Sequence, residues 1–279
     1  MDKILAYKEA EAFAKSHYEN FPVVSFLIPK NLRKHIAIIY WFARTADDIA
    51  DEGTFTQEER INRLNIFEAR LTDLLKGKFK SSYELALYST ICERNLSSKL
   101  FFDLLKAFKQ DAVKKKYSNF NGLLKYCEFS ANPIGRLILQ LNDIRNDKAL
   151  YYSDNICTAL QFTNFYQDTE IDTRKERFYY PMDEMQKYGV TEKSLLNGIN
   201  NLNFQNLLKS SITRAEEMFN EGKGILNYLK GRLKFEINWT ILGGEAILHK
   251  IKFNNYMIFN NRPKINKFNS LYLLIKALF

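Results

Sequence analysis

The sequence predicts an all-α protein, and three observations support this fold class. Only 11 glycines and 5 prolines occur among 279 residues, too few for a fold rich in strands and tight turns. Hydrophobic residues make up 46% of the chain and aromatic residues 14%, which supplies a large core. Two long segments are apolar on nearly every helical face. The length fits one large helical domain or two small ones.

Helix-start and helix-stop signals divide the first half of the chain. Pro22 ends a first helix over 3–19, because proline disfavours a helical residue before it. A second helix ends near Gly53, where glycine can serve as a C-cap. Thr56 and Glu59 have the spacing of a capping box. The helices that follow are predicted over 57–76, 82–94 and 98–115.

Helical patterns also cover the second half. A helix over 118–145 is interrupted by Ser-Ala-Asn-Pro-Ile-Gly at 130–135. A central helix then carries 161–172. After a loop at 197–203, two long helices are predicted over 204–230 and 235–260. Gly243 and Gly244 would allow the last of these to approach a neighbour closely, and Arg262-Pro263 ends it.

The net charge indicates anionic partners. Lysine and arginine total 41 against 32 acidic residues, a balance of +9, which suits diphosphates, an acidic membrane surface or nucleic acid. The basic residues are spread along the chain instead of clustering with exposed aromatic residues, so nucleic acid is disfavoured.

The sequence predicts a cytoplasmic location, either free or peripheral at the inner face of the membrane. The first residues lack the long apolar stretch and cleavage site of a signal peptide. No apolar window reaches the roughly eighteen residues that a membrane-spanning helix needs. Cys92, Cys127 and Cys157 lack metal-ligand spacing and are interpreted as reduced thiols.

Two overlapping acidic pairs lie in the second helix. Asp47 and Asp51 are four residues apart, as are Asp48 and Glu52, so each pair stacks on one helix face. Arg44 lies one turn before Asp48. The preceding run is apolar on nearly every face, so we expect these acidic residues to lie on a buried helix.

A second polar set occurs in the central helix. Asn164, Asp168 and Asp172 are spaced four and four, and Gln161 joins their face by an i, i+3 step. The residues expected to cover and bury the other sides are Phe162, Phe165, Tyr166 and Ile171.

Carboxylate and amide oxygens are ligands of hard divalent cations. If the two sets face each other, they would hold divalent cations and, through them, a diphosphate. One acidic pair alone is more often a solvated face or a salt-bridge rung. Two pairs in apolar helices favour the metal site, because burial without a partner is costly.

The helix break at 130–135 has two open interpretations. Proline removes a backbone donor and glycine lets another surface approach closely. The break either leaves room for a substrate chain beside Gly135 or serves packing only.

A cationic segment follows the second acidic set at 173–180 and contains Arg174, Lys175 and Arg177. It is either a flexible flap that closes over a diphosphate or a solvated helix end.

These motifs resemble the squalene/phytoene synthase family over roughly 10–265. The resemblance rests on Arg44-Thr-Ala-Asp-Asp-Ile-Ala-Asp-Glu, Asn164-Phe-Tyr-Gln-Asp-Thr-Glu-Ile-Asp and Arg177-Phe-Tyr-Tyr-Pro. Further matching segments are Asn20-Phe-Pro-Val-Val-Ser, Tyr126-Cys-Glu-Phe-Ser-Ala-Asn-Pro-Ile-Gly-Arg and Gly243-Gly-Glu-Ala-Ile-Leu. Gln167-Asp168, Ser-Ala-Asn-Pro-x-Gly-Arg and Asn261-Arg-Pro are similar to the hydroxysqualene synthase branch of bacterial squalene and hopanoid pathways.

The resemblance implies a single domain over 1–279 with the helical fold of class I isoprenoid synthases around a central cavity. It implies Mg²⁺ as cofactor and a prenyl diphosphate as substrate, either presqualene or farnesyl diphosphate. The implied metal ligands are Asp47, Asp51, Glu52, Asn164, Asp168 and Asp172. The implied catalytic residues are Tyr40, Arg44, Asp48, Gln161 and Asn164. The implied substrate contacts are Phe21, Arg44, Tyr126, Gly135, Gln161, Phe165, Arg177 and Tyr256.

Three functions are compatible with this resemblance. The first is a lyase that converts presqualene diphosphate to hydroxysqualene. It is favoured because Gln167 stands where many condensing members have arginine, which weakens a contact to a second diphosphate. The second is head-to-head condensation to squalene, dehydrosqualene or phytoene. The third is a non-catalytic assembly protein with this fold, which degraded acidic pairs would mark. The sequence contains no glycine-rich nucleotide-binding loop of the kind that would indicate NADPH binding.

The C-terminal tail is either a packed terminal helix or a membrane-surface anchor. Its apolar residues lie beside Lys267 and Lys276. They are Phe268, Leu271, Leu273, Leu274, Ile275, Leu278 and Phe279.

Overall fold

A computed structural model of the chain describes residues 2–16 and 28–277. These residues form α-helices without any β-strand, apart from one isolated parallel bridge between Lys116 and Phe178. The all-α prediction is therefore confirmed. None of the described helices is long and apolar enough to cross a membrane. The helices are α1 (Lys3–Ser16), α2 (Lys30–Asp51), α3 (Gln57–Leu75), α4 (Ser82–Glu93), α5 (Ser98–Asp111), α6 (Phe120–Ser130), α7 (Asn132–Leu141), α8 (Asp147–Gln167), α9 (Thr169–Arg174), α10 (Met182–Lys187), α11 (Glu192–Leu196), α12 (Leu202–Gly222), α13 (Gly231–Phe253) and α14 (Lys267–Lys276).

The chain forms two compact units. Unit 1 comprises Met1–Lys114 and Pro133–Asn146, and unit 2 comprises Lys115–Asn132 and Asp147–Phe279. Each unit therefore contains one of the two acidic motifs. The assignment of 1–279 to a single domain stays a prediction.

Unit 1 is built around α2, which packs against α1, α3, α4 and α5. Residues on nearly every face of α2 are buried, as its apolar run predicts. Phe42 lies at the centre, with ring centroids 5.2 Å from both Phe67 and Phe101. The first acidic motif therefore extends from a helix that the core of this unit holds rigidly.

The C-terminal end of α2 is fixed by α3. The predicted capping box is present, because Thr56 Oγ1 accepts from the Glu59 backbone N–H and Glu59 Oε2 accepts from the Thr56 backbone N–H. One turn into α3, the Arg60 guanidinium donates to the carbonyls of Ala50 (2.7 Å), Glu52 (3.1 Å) and Gly53 (2.8 Å). These are carbonyls that a helix end leaves without intrahelical partners. Arg60 thus caps the turn that carries Asp51.

Unit 2 is built around α8, which packs against α6, α12 and α13. The close approach predicted for the glycine pair is confirmed at Gly244. A Cβ atom there would lie 2.5 Å from the Phe219 ring on α12 and 2.9 Å from Leu160 on α8. Only a residue without a side chain lets α13 seat against both helices at this point.

Several predicted helix ends differ from the structure. The helix predicted over 204–230 ends at Gly222, and a 3-10 helix over Lys223–Asn227 follows it. The helix predicted over 235–260 ends at Phe253, because Asn255 and Tyr256 adopt left-handed backbone conformations with φ of 51° and 60°. The Tyr256 N–H donates to Ile251 O at 2.9 Å and closes this turn. The helix predicted over 98–115 ends earlier, at Asp111.

Candidate active site

The first acidic motif surrounds its own arginine. Arg44 Nη1 lies 3.2 Å from Asp47 Oδ2, Nε lies 2.7 Å from Asp48 Oδ1, and Nη2 lies 2.9 Å from Glu52 Oε1. Burial opposes the charge of the guanidinium, but Asp47 and Asp48 raise the pKa of Arg44 overall. Arg44 was predicted to add positive charge to a diphosphate, whereas in this structure it is the counter-ion of the acidic cluster.

The exposure of this motif also differs from the prediction of a buried face. The Asp47 side chain is 41% exposed and that of Glu52 is 63% exposed. On the opposite side of α2, Ala46 and Ala50 are buried in the core. Tyr40, two turns earlier, is half-buried with its ring centroid 6.1 Å from that of Phe13.

The second acidic motif spans a break between α8 and α9. Asp168 adopts φ −102° and ψ 13° between the two helices. The helical hydrogen bonds nevertheless continue, because the Asp168 N–H donates to Asn164 O at 2.8 Å and the Asp172 N–H donates to Asp168 O at 2.9 Å. Asn164, Asp168 and Asp172 therefore keep their common face, and Gln161 lies one turn before Asn164.

Burial around the second motif follows the prediction in part. Phe162, Phe165 and Tyr166 are buried. Ile171 is 46% exposed, so the expectation that it covers the motif is wrong. Asn164 is exposed as well. The motif lies near the end of its helical run, because α9 extends only to Arg174.

A segment that follows α13 holds the second motif. We call residues 258–263 the clasp. Arg262 forms a two-pronged ion pair with both carboxylate oxygens of Asp168, with Nη2 3.1 Å from Oδ2. The Gln167 side-chain amide donates to Pro263 O at 2.7 Å. Sequence analysis singled out Gln167-Asp168 and Asn261-Arg-Pro separately, and the structure joins them.

Arg262 is thus a site residue that sequence analysis placed at a helix end and in a segment of the resembled branch, without predicting its contact with Asp168. Its contact with Asp168 depends on the turn at Asn255 and Tyr256, which redirects the chain after α13. Left-handed residues other than glycine leave little signal in a sequence. The asparagines before Arg262 hint at the turn, since asparagine tolerates this conformation and Asn255 and Asn260 adopt it.

The predicted aromatic contacts belong to a buried ring cluster. Tyr126 and Phe165 have centroids 6.2 Å apart and are 4% and 5% exposed. Tyr179 stacks on Phe165 with centroids 3.7 Å apart. One face of Phe165 is therefore covered by another ring, which limits how it could face a substrate.

The predicted helix break separates α6 from α7. Ala131 interrupts the helix, and Pro133 lies near the start of α7, where its missing N–H costs nothing. The Thr158 hydroxyl on α8 donates to the side-chain oxygen of buried Asn132 at 3.0 Å. The break thus has a packing role within unit 2. Gly135 lies in the first turn of α7, and its role beside a substrate stays a prediction.

The cationic segment is anchored, which argues against a free flap. Its Phe178 is 2% exposed, and the Phe178 N–H donates to Lys115 O at 2.8 Å. The Arg177 N–H donates to Asp172 O at 2.8 Å, which keeps Arg177 next to the second motif. Arg174 is mostly exposed and pairs with Glu170 Oε1 at 2.5 Å.

Four further predicted residues lie either outside the described residues or outside a helix. Phe21 lies outside the described residues, as do Leu278 and Phe279 of the tail. Tyr256 is half-buried in the turn after α13, not on a helix as predicted.

The two motifs offer the oxygen ligands that the predicted Mg²⁺ prefers. Among residues 2–16 and 28–277, no three Asp, Glu, His or Cys side chains come together as a metal-binding group. Mg²⁺ keeps several waters and is commonly held by one or two carboxylates together with substrate phosphates. The half-exposed oxygen donors of each motif fit that mode of binding. That the two motifs face each other and that they bind Mg²⁺ both stay predictions.

Comparison with known proteins places this architecture in a class. The crystal structure of squalene synthase HpnC from Alicyclobacillus acidocaldarius superposes with a TM-score of 0.85 and 31% identity, covering 91% of this chain and 95% of that one. A dehydrosqualene synthase structure superposes with a TM-score of 0.87 at 22% identity, over 99% and 98% of the two chains. The chain thus has the helical fold of the class I isoprenoid synthases.

The family follows from sequence similarity. The family model for squalene/phytoene synthase matches residues 14–269, and the chain belongs to this family. A hydroxysqualene synthase from Sinorhizobium fredii is 32% identical over 241 residues, covering 85% of this chain and 80% of that protein. A hydroxysqualene synthase from Zymomonas mobilis is 36% identical over 182 residues, covering 63% and 59%.

Proposed function

We propose that this protein is a Mg²⁺-dependent synthase that converts presqualene diphosphate to hydroxysqualene with loss of diphosphate. The observation that carries the proposal is the similarity to the Sinorhizobium fredii hydroxysqualene synthase along 85% of the chain. The contacts of Gln167 with Pro263 and of Asp168 with Arg262 support it, because both partners belong to segments that resemble this branch. The carboxylates of both acidic motifs are intact, which argues against a non-catalytic assembly protein.

The residues of the two motifs bind the leaving group in this proposal. Mg²⁺, when bound, supplies positive charge that stabilises the departing diphosphate. The carboxylates that would hold it are those of Asp47 and Asp51 on α2, of Asp168 between α8 and α9, and of Asp172 on α9. Glu52 and Asn164 complete the ligands, and Asp48 orients Arg44. Arg177 would contact diphosphate oxygens, since guanidinium pairs well with phosphate. Arg44 would do so when its present partners Asp47 and Glu52 hold Mg²⁺.

The hydrocarbon part of the substrate needs an apolar surface from which water is largely excluded. Loss of diphosphate leaves a carbocation, which aromatic rings can stabilise through their π faces. The accessible edges and faces of the cluster containing Tyr126 and Phe165 serve this role in the proposal, with Phe21, Gly135 and Tyr256 as further contacts. Tyr40, Gln161 or the released diphosphate orients the water that captures the cation.

Head-to-head condensation is the second candidate. A phytoene synthase from Zea mays is 26% identical over 275 residues, covering 96% of this chain and 67% of that protein. The solved relative from Alicyclobacillus acidocaldarius is described as a squalene synthase. Such an enzyme would join two prenyl diphosphates instead of hydrolysing one.

Product identification separates the two candidates. The purified protein is incubated with Mg²⁺ and either presqualene or farnesyl diphosphate in water enriched in ¹⁸O, and the products are analysed by mass spectrometry. We expect hydroxysqualene carrying ¹⁸O from presqualene diphosphate. A C₃₀ or longer hydrocarbon without the label would support condensation, and no product from either substrate would refute both.

Metal removal tests the acidic motifs directly. Chelation should abolish turnover and added Mg²⁺ should restore it. Asp47→Ala and Asp168→Ala should each lower turnover by at least roughly 100-fold, the size typical of losing one preorganised electrostatic contact. Glu217→Gln, an exposed acidic residue on α12, is the control and should keep wild-type turnover. Full activity in metal-free buffer would contradict the assignment.

A further inference from the structure

The clasp is attached to the second acidic motif at three points. The Asn260 N–H donates to Glu170 Oε2 at 2.7 Å, Gln167 holds Pro263 O at 2.7 Å, and Arg262 pairs with Asp168. The first residues of the clasp are buried, with Ile258 at 2% and Phe259 at 4% exposure. The backbone of the clasp is therefore fixed on both sides of Arg262.

This attachment places a cation where the proposed metal ligand must act. Arg262 reaches both carboxylate oxygens of Asp168. A divalent cation at Asp168 would need at least one of those oxygens and would be repelled by the neighbouring positive charge.

We propose that Arg262 is a positioning residue that occupies Asp168 in the metal-free protein and competes with the divalent cation for it. This inference rests on the proposed function. Gln167 and Glu170 hold the clasp so that Arg262 returns to Asp168 when the metal leaves. A diphosphate oxygen offers the displaced guanidinium a new anionic partner, so metal binding at Asp168 becomes stronger when a diphosphate is present.

The test measures metal binding without turnover. Mn²⁺ replaces Mg²⁺ as a paramagnetic probe, and its binding to the full chain is followed by electron paramagnetic resonance, with and without inorganic pyrophosphate. Arg262→Gln should bind Mn²⁺ at least about five-fold more tightly without pyrophosphate, the lower end of typical coupling between sites. Pyrophosphate should strengthen Mn²⁺ binding less in Arg262→Gln than in the wild type.

The matched control is Arg174→Gln. Arg174 is the last residue of α9 and pairs with Oε1 of Glu170 instead of with Asp168. The clasp uses the other oxygen of Glu170, Oε2. Arg174→Gln removes one positive charge, as Arg262→Gln does, but leaves the contacts of Asp168 in place. If contact with Asp168 is what matters, Arg174→Gln should leave Mn²⁺ affinity unchanged. An equal rise in both arginine variants would overturn the proposal in favour of a general charge effect.

A second variant changes no charge. Gln167→Met removes the amide that holds Pro263 O and should loosen the clasp, so Mn²⁺ should bind more tightly, though by less than in Arg262→Gln. Arg262→Lys keeps the charge without the two-pronged geometry and should fall between wild type and Arg262→Gln. If Arg262→Gln fails to fold, these two variants decide the question.

Failure of this inference is distinguishable from failure of the proposed function. Mn²⁺ affinity that is unchanged or weaker in folded Arg262→Gln overturns the competition even if hydroxysqualene is formed. Stronger binding in Arg262→Gln supports the competition whichever product the enzyme makes. Absence of Mn²⁺ binding in every variant overturns it.

Discussion

His35 is buried in unit 1 beside charged and hydrogen-bonding groups of three helices. Its Nδ1 lies 2.9 Å from Thr90 Oγ1, which in turn lies 2.8 Å from the Tyr7 hydroxyl. Burial, followed by the charges of Lys34 and Arg94, lowers the pKa of His35 to about 4, although Glu93, 3.9 Å away, acts in the opposite direction. The ring is therefore neutral in the folded protein at neutral pH.

This lowered pKa predicts how stability changes with pH. Between about 6.5 and about 4 the unfolded chain takes up a proton at His35 before the folded protein does. The free energy of unfolding should therefore fall as pH decreases through this window, by up to about 3 kcal/mol from this residue. Urea unfolding of the wild type and His35→Gln at several pH values checks this. The variant should be less stable at neutral pH but should show a shallower fall, and equal slopes would contradict the assignment.

Residue-scale predictability depends on whether a side chain acts within its own helix. Asp47, Asp168 and Asp172 could be placed on helix faces from spacing alone, because the helical repeat fixes the angle between them. Arg262 could not, because its contact crosses 94 residues and depends on a left-handed turn.

At the scale of the element, Arg60 should control the end of α2. Its guanidinium satisfies carbonyls in the turn that carries Asp51 and Glu52. Arg60→Gln should fray this turn, lower the free energy of unfolding by about 1–2 kcal/mol and reduce turnover. Arg63→Gln is the control on the same helix, since Arg63 lies over the Phe55 ring at 3.5 Å. Hydrogen exchange of the α2 amides should rise near Asp51 only in Arg60→Gln, and equal protection in both variants would show that the cap is dispensable.

Gly244 fixes how closely α13 packs against α8 and α12. A methyl group there would overlap the Phe219 ring and Leu160, so Gly244→Ala should destabilise the protein by about 1–3 kcal/mol. Gly122→Ala on α6 is the matched control. A methyl group at Gly122 would meet only the Asn119 side chain, at an ordinary 3.5 Å, and alanine favours a helix over glycine. Thermal unfolding should show a lower Tm for the first variant and an unchanged or higher Tm for the second.

Helices themselves were largely predictable because their signals are local. The capping box at Thr56 and Glu59 and the break at 130–135 are confirmed. The helix predicted to reach 260 was too long, because the sequence near Asn255 lacks glycine or proline and the turn is imposed by the packing of Ile258 and Phe259. Sequence alone left two interpretations of the cationic segment at 173–180, a flap or a solvated helix end. Its anchoring could not be predicted, because its backbone partners at 115–118 are distant in sequence.

On the scale of the whole molecule, family and fold class were predictable, because composition and two separate motifs agree with each other. The packing of the tail was not. α14 packs on α13, where Asn238 Nδ2 donates to Ala277 O at 3.2 Å. Leu273 and Ala277 are each 7% exposed. Of the two alternatives for the tail, the described residues thus show a packed helix that still presents apolar side chains outward.

Those outward side chains predict a graded association with anionic lipid. Tyr272 is 66% exposed and Ile275 is 52% exposed, and the chain carries a net charge of +9. A long-chain isoprenoid product is insoluble in water, so contact with a bilayer would aid its release. We expect co-sedimentation with vesicles containing phosphatidylserine, weakening with salt because attraction is screened over roughly 10 Å at 0.1 M ionic strength.

Paired variants distinguish this lipid contact from non-specific hydrophobic binding. Tyr272→Ser combined with Ile275→Ser should reduce co-sedimentation while leaving the Tm nearly unchanged, because both side chains are already in water. Ile66→Ser removes a comparably exposed apolar residue, 56% exposed on α3, and should leave vesicle binding as it is. If the double variant binds as the wild type does, or if neutral vesicles bind equally well, the outward face of α14 is ordinary protein surface and the lipid contact lies elsewhere or does not exist.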